Sequence, residues 1–230
     1  MRCLKVEKIE SDSDLYDLEI EGGNHNYVAE GIVVHNTWCC YGFYPEEDST
    51  GIKIVTSKGL SGRGLAFKMN EQNMLSNLYL QVLERTRDQD GYDVLERMIN
   101  TSDRKNPVYL LGEVFGRGVQ DLAYGETQPV FRLFDVYIGT PGQGSYMDAM
   151  NMRVFAEMLD IDVVPELYSG PFSMEKMTEL RDGKDFSGSN IREGIVIRPE
   201  EERRDDLIGR VQLKYVSPKY ILRKNGTELN

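Results

Sequence analysis

The sequence predicts an α+β fold with mostly antiparallel sheet, preceded by a short all-β segment. Three observations carry that prediction. Apolar strand-like runs recur at Val108 to Glu113, Val130 to Tyr137, Ile195 to Arg198 and Val211 to Tyr215. Between them lie stretches with helical spacing, such as Leu75, Leu78, Tyr79, Val82 and Leu83. The third is a change of pattern after residue 37, where short alternating runs give way to longer strands and helices.

Each element follows in order. Within residues 1–36, the alternation of Tyr27 and Ala29 followed by Gly31-Ile32-Val33-Val34 predicts two short paired strands. Thr37 to Phe43 and Gly51 to Ser57 read as two more, joined by the turn-rich Tyr44-Pro45-Glu46-Glu47-Asp48-Ser49-Thr50. The i, i+3, i+4, i+7, i+8 spacing from Leu75 predicts an amphipathic helix over 71–88. A second helix is expected over about 146–160 with Met152, Phe155, Ala156 and Leu159 inward. Ser173 caps a third that ends at Asp182-Gly183 and buries Met174, Met177 and Leu180.

At 230 residues, 40% apolar and 28% charged, the chain fits one compact domain with an attachment, divided here as 1–36 and 37–230. No apolar run approaches the ~20 residues that cross a bilayer, and the first residues lack the apolar stretch of a signal peptide. The expectation is a cytoplasmic protein with no membrane partner. Cys3, Cys39 and Cys40 form neither a disulfide framework nor a spaced metal site, which leaves core packing as their role. The net charge of -11 argues against a strongly basic nucleic-acid surface. It still permits a local groove, for which Lys53, Lys58, Arg63, Lys68, Arg192, Arg198, Lys214, Lys219, Arg223 and Lys224 are the candidates.

The first chemical constellation lies at residues 24–37. Asn36 stands directly before the hydroxyl of Thr37, and the only two histidines, His25 and His35, are close by. An asparagine side-chain amide cleaves its own peptide bond only if protons move at both the amide and the leaving nitrogen, and histidine is suited to that near neutral pH. Thr37 can attack an ester or thioester carried by another segment, with Asp17 placed to orient or deprotonate it. Residues 1–36 resemble the C-terminal part of an intein. The likeness rests on Tyr16-Asp17-Leu18-Glu19-Ile20, Gly23-Asn24-His25-Asn26-Tyr27-Val28-Ala29 and the closing Gly31-Ile32-Val33-Val34-His35-Asn36. It implies that Asp17 assists acyl transfer, that His25 and His35 assist cyclisation of Asn36, and that Thr37 is the acyl acceptor. A naturally split intein spliced in trans is the first reading, and a contiguous intein with a misplaced gene start is the second.

The second constellation is spread over the body. Leu111-Gly112-Glu113-Val114-Phe115-Gly116, Phe131-Arg132-Leu133-Phe134-Asp135-Val136-Tyr137, Arg192-Glu193-Gly194-Ile195-Val196-Ile197-Arg198-Pro199 and Gln212-Leu213-Lys214-Tyr215-Val216-Ser217 each put charge at the edge of an apolar strand. Strand-borne carboxylates accept ribose hydroxyls or hold magnesium, an aromatic stacks on a base, and a lysine neutralises phosphate charge. In order and wording these segments resemble motifs III, IIIa, IV and V of the covalent nucleotidyltransferases, and most closely the RNA ligase 2-type enzymes. The resemblance implies an ATP-grasp-like ligase domain using ATP as AMP donor and Mg2+. In it Glu113 contacts ribose or metal, Phe134 stacks on adenine, Glu193 binds metal and Lys214 touches the α-phosphate. Lys58, in Ser57-Lys58-Gly59-Leu60 at the motif Ia position, is a weaker nucleotide contact, and Gln212 stands where a second motif V lysine is usual.

The family's nucleophile, the lysine of a K-x-[DH]-G motif, does not occur in this sequence. In the family that motif precedes a strand resembling Thr37-Trp38-Cys39-Cys40-Tyr41-Gly42. The expected partner is therefore a separate chain carrying the intein N-terminal half and the upstream ligase segment with that lysine, and the expected substrate is RNA. Two alternatives stand beside this: a non-catalytic nucleotide- or nucleic-acid-binding module with a relic intein, and a fragment of a DNA ligase or capping enzyme.

Overall fold

The computed structural model describes the strand backbones at 3–9, 15–20, 27–29 and 32–34, and residues 38–45, 51–56, 78–119 and 122–222. Two antiparallel pairs come first: β1 (Cys3–Ile9) with β2 (Leu15–Ile20), and β3 (Tyr27–Ala29) with β4 (Ile32–Val34). The second is the short pair expected from the alternation, with Tyr27 opposite Val34. The centre of the body is a five-stranded antiparallel sheet in the order β6-β5-β7-β8-β9. Its strands are β5 (Trp38–Tyr44), β6 (Ile52–Thr56), β7 (Val108–Phe115), β8 (Val130–Ile138) and β9 (Ser145–Tyr146). Two small hairpins complete it: β10 (Gly194–Ile197) with β13 (Leu213–Val216), and β11 (Arg204–Asp205) with β12 (Gly209–Arg210).

Three helices, α1 (Leu78–Arg85), α2 (Val94–Thr101) and α3 (Ala149–Met158), supply the packing for one face of the sheet. Tyr41, Phe43, Leu110 and Leu133 from the strands meet Leu80, Leu83, Leu95, Met98 and Leu159 from the helices and their ends, all essentially inaccessible to water. Burying each leucine contributes roughly 1.5–3 kcal/mol, so this layer is the main source of stability. β5 lies between β6 and β7 with Trp38 to Phe43 buried, which is why its sequence runs apolar without alternation. Burial pushes the free Cys39 and Cys40 thiols up, so they pack as small apolar groups, as expected.

The helices agree in part with the sequence reading. Of the expected 71–88 helix, 78–85 is observed and 71–77 lies outside the described residues. The second begins at Ala149, because Tyr146 is taken by β9, and it buries Met152 and Ala156 with Leu159 at its C-cap. Ser173 caps α4 (Met174–Arg181) by accepting from the Lys176 amide at 3.4 Å. Met174 is exposed, contrary to expectation. The reason is that α4 packs on β10 of a small hairpin, which leaves Met177 as its one fully buried residue. A last turn, α5 (Pro218–Ile221), is capped by Ser217. The helix at Val94–Thr101 was not foreseen. Its signal is local: Asp93 and Glu96 form a reciprocal capping box, followed by buried Val94, Leu95, Met98 and Ile99. Among the described residues no helix is long and apolar enough to cross a membrane.

One glycine is required by close approach. A Cβ on Gly112 would lie 2.3 Å from the Phe131 ring and 2.4 Å from the Arg132 carbonyl oxygen. Gly112→Ala is expected to destabilise the fold by roughly 1–3 kcal/mol through overpacking. The check is the urea unfolding midpoint, which should fall with an unchanged slope.

Candidate active site

Strand alternation decides what the second face of the sheet carries. On β5, Cys39, Tyr41 and Phe43 join the helix-side core, so Trp38 and Cys40 face the other way. On β7 the same logic places Tyr109, Leu111 and Glu113 beside them, with Trp38 opposite Glu113 in the register. On β8, Phe131, Leu133 and Val136 belong to the helix side. Strict alternation from Phe131 would drive residue 135 into that apolar core. The register instead shifts by one between Leu111 and Gly112, and Phe134 has no partner across on β7. This bulge resets the phase and turns both Phe134 and Asp135 to the second face. Phe134 is half-buried there, packed against Trp38, Cys40, Tyr109, Leu111 and Tyr137.

Asp135 is fully buried and ionic, so it must be paired. Its carboxylate takes Arg210 Nη1 on one oxygen and Arg198 Nη1 at 3.4 Å on the other. Arg210 also makes a bidentate contact to Glu202 at 2.9 and 2.8 Å, and its guanidinium lies 3.6 Å from the Tyr146 ring centroid. Arg198 donates to the Phe134 carbonyl at 3.2 Å and to the Met147 carbonyl at 2.8 Å. Two carboxylates and two guanidiniums thus tie the bulge to the chain on either side of β11 and β12. The Gln212 side-chain oxygen accepts from Arg210 at 3.1 Å, so it belongs to this network.

The second carboxylate group forms where β7 meets the β10–β13 hairpin. Glu193 directly precedes β10, and its backbone oxygen accepts from the Ser217 amide at 2.8 Å. Its side chain accepts a hydrogen bond from the Tyr124 hydroxyl. Burial first, then the charge of Glu193, pushes the Tyr124 phenol well above its ordinary value, and the charge of Glu113 adds to the rise. Lys214 sits exposed on β13 opposite Val196, while Tyr215 on the other face of the hairpin accepts from Arg181 at 3.0 Å. No acidic side chain among the described residues pairs with Lys214.

A family model described as RNA ligase matches residues 37–216. The chain belongs to the RNA ligase family. No curated protein matches it. Solved structures of Naegleria gruberi RNA ligase share its fold. A mutant with ATP and Mn has a TM-score of 0.54, a mutant with AMP and Mn 0.55, and the ligase with PPi 0.54. Each is 18% identical, and the match covers 82% of this chain and 49% of that one. This chain thus spans about half the length of the ligase structures it matches.

Of the expected nucleotide-site residues, Glu113 and Phe134 lie on the second face of the sheet, Glu193 directly precedes β10 and Lys214 sits on β13. Asp17 lies on β2 opposite Glu7. His25, His35, Asn36, Thr37 and Lys58 lie outside the described residues. The expected basic groove is not assembled from the described cations other than Lys214. Lys53 is bound to Glu96 of α2 at 3.0 Å, Lys219 pairs with Asp182 at 3.7 Å, Arg192 donates to the Leu180 carbonyl, and Arg198 is consumed by Asp135. Asp135, Arg210, Tyr124 and Arg132 had no assigned role in the sequence reading. Asp135 and Arg132 carried a signal there, as charges inside an apolar strand.

Carboxylates such as Glu113 and Glu193 are the donors that hard divalent cations take. Among the described residues no group of three or more His, Cys, Asp or Glu could hold a metal by itself.

Removing one member of the buried network leaves charge without a partner. Asp135→Ala is expected to cost about 3–5 kcal/mol, read as a lower denaturation midpoint, whereas Lys214→Ala on the exposed hairpin should shift it by less than about 0.5 kcal/mol.

Proposed function

We propose that this chain is half of a precursor that is spliced in trans at Asn36-Thr37 into an ATP-dependent RNA ligase. One observation carries the reading: the RNA ligase match begins at residue 37, the residue that follows the asparagine of the intein-like segment. Two features of the fold support it. β3 and β4 form the short hairpin that the intein-like alternation predicts, with Tyr27 opposite Val34. Trp38 is opposite Glu113, so a segment joined at Thr37 enters the sheet at the end that bears Glu113.

In the proposed sequence, a separate chain carrying the intein N-terminal half and the K-x-[DH]-G lysine docks on residues 1–36. Thr37 takes over its acyl group, Asn36 cyclises with His25 and His35 moving the protons, and an acyl shift leaves an ordinary peptide bond. In the joined enzyme the lysine amine attacks the α-phosphate of ATP and pyrophosphate leaves. The AMP passes to an RNA 5′-phosphate, and a 3′-hydroxyl displaces it to seal the strand. Phe134 stacks on adenine, Glu113 accepts from ribose and Lys214 neutralises charge growing on the α-phosphate. Glu193 would hold Mg2+, which when bound offsets the charge of the phosphates. The ATP, AMP and PPi in the Naegleria structures are the donor, transferred group and leaving group of the first step proposed here.

Two measurements test this. The purified chain alone, given α-labelled ATP and Mg2+, should gain no label; a labelled, uncut chain would sink the reading. Mixed with its upstream half, it should yield a joined product that takes label, and Asn36→Ala should stop release of residues 1–36 and let the branched intermediate accumulate.

A further inference from the structure

Glu113 and Glu193 lie at the ends of different sheets, and no shared ladder fixes their separation. Tyr124, in the connection between β7 and β8, donates a hydrogen bond to the Glu193 carboxylate. We propose that Tyr124 is a positioning residue that holds the Glu193 carboxylate in its metal-binding orientation. This rests on the reading of Glu193 as a metal ligand given above.

Three features show a side chain that is itself fixed. The Tyr124 backbone has φ +50, in the left-handed region that residues other than glycine seldom occupy. Gly125 follows at φ +82, and this tight reversal turns the ring back toward Glu193. The ring is then held on two sides. Phe115 meets it edge-on at 5.5 Å and 87°, and Phe186 stacks on it at 5.8 Å and 12°. Arg132, on β8, lies 4.4 Å from the centroid of Phe186 and 5.6 Å from that of Phe115, which extends the stack into the main sheet. An exposed loop tyrosine needs none of this support. Here a strained backbone and an aromatic clamp aim one hydroxyl at one carboxylate.

The chemistry of the pair fits orientation. The Tyr124 hydroxyl donates and the Glu193 carboxylate accepts. A donor on one carboxylate oxygen fixes the rotation of the group and leaves the other oxygen for a cation. Outer-shell hydrogen bonds of this kind are typically worth 10–100-fold in metal affinity.

The test uses the full chain and Mn2+ alone, with binding followed by water-proton relaxation enhancement and folding by thermal melting. Glu193→Gln should abolish the tight component of Mn2+ binding. Tyr124→Phe keeps the ring and its stacking, so its melting temperature should stay close to the parent's while Mn2+ affinity falls roughly 10–100-fold. As a second variant, Phe186→Leu keeps the hydroxyl but removes the stack, and should give a smaller loss in the same direction. If Glu193→Gln loses Mn2+ while Tyr124→Phe binds it like the parent, the positioning role is overturned and the metal role of Glu193 stands. If the parent shows no Glu193-dependent binding, the metal role falls and this inference falls with it.

Discussion

The site depends on a single extra residue in β8. An apolar layer of helices on one side of a sheet forces each strand to present a side chain inward at every second position, and nothing in that rule leaves room for a buried aspartate. Inserting Phe134 between Leu133 and Asp135 satisfies the core and the site together: Val136 returns to the helix side, while Phe134 and Asp135 share the other. The bulge exposes a residue without a ladder partner and buries a charge, so it needs outside support. Arg198 gives both, with hydrogen bonds to the Phe134 carbonyl and the Asp135 carboxylate from one side chain.

From this follows how the small hairpins are placed. Arg198 lies just beyond β10 and Arg210 ends β12, so the residues that satisfy Asp135 also anchor the chain that carries Glu193 and Lys214. A surface ion pair would be too weak for that task, at a median of about 0–1 kcal/mol. A pair removed from water is different, because each partner is costly without the other. Committing these arginines inward has a consequence for charge. In a chain of net charge -11, Arg198 and Arg210 are spent on Asp135, whereas Lys214 on β13 is exposed and has no acidic partner among the described residues.

Legibility followed the range of the interactions. Strands β5 to β8 were readable because their apolar runs are local and each must be buried, and the Ser173 cap was readable because its partner is three residues away. The Asp93–Glu96 box that starts α2 is an equally local signal, with its two partners three residues apart. The bulge was legible only in part: Phe131-Arg132-Leu133 and Phe134-Asp135-Val136 alternate out of phase with each other, but only pairing with β7 shows that Phe134 is the residue without a partner. Arg198 was read as a groove cation for the same reason, since its partner Asp135 lies 63 residues away in sequence. Glu193 was named from its motif, but its hydrogen bond with Tyr124 spans 69 residues and carries no local signal.

The position of the proposed junction is physically reasonable for a protein assembled from two chains. A break inside β5 would cut through buried positions on both faces and disrupt the helix-side core. A break before Trp38 does not: Cys39, Tyr41 and Phe43, the core contributions of this strand, all lie on one side of it. What such a break does reach is the site face. Trp38 is 3% exposed, its indole N–H has no acceptor among the described residues, and it stands opposite Glu113. A buried donor without a partner costs about 1–3 kcal/mol. On the proposed reading, the segment joined at Thr37 arrives at this spot, where a carbonyl or carboxylate of its own would satisfy the indole as its lysine approaches the nucleotide. Division of the chain at this bond would then spare the fold and withhold only the chemistry.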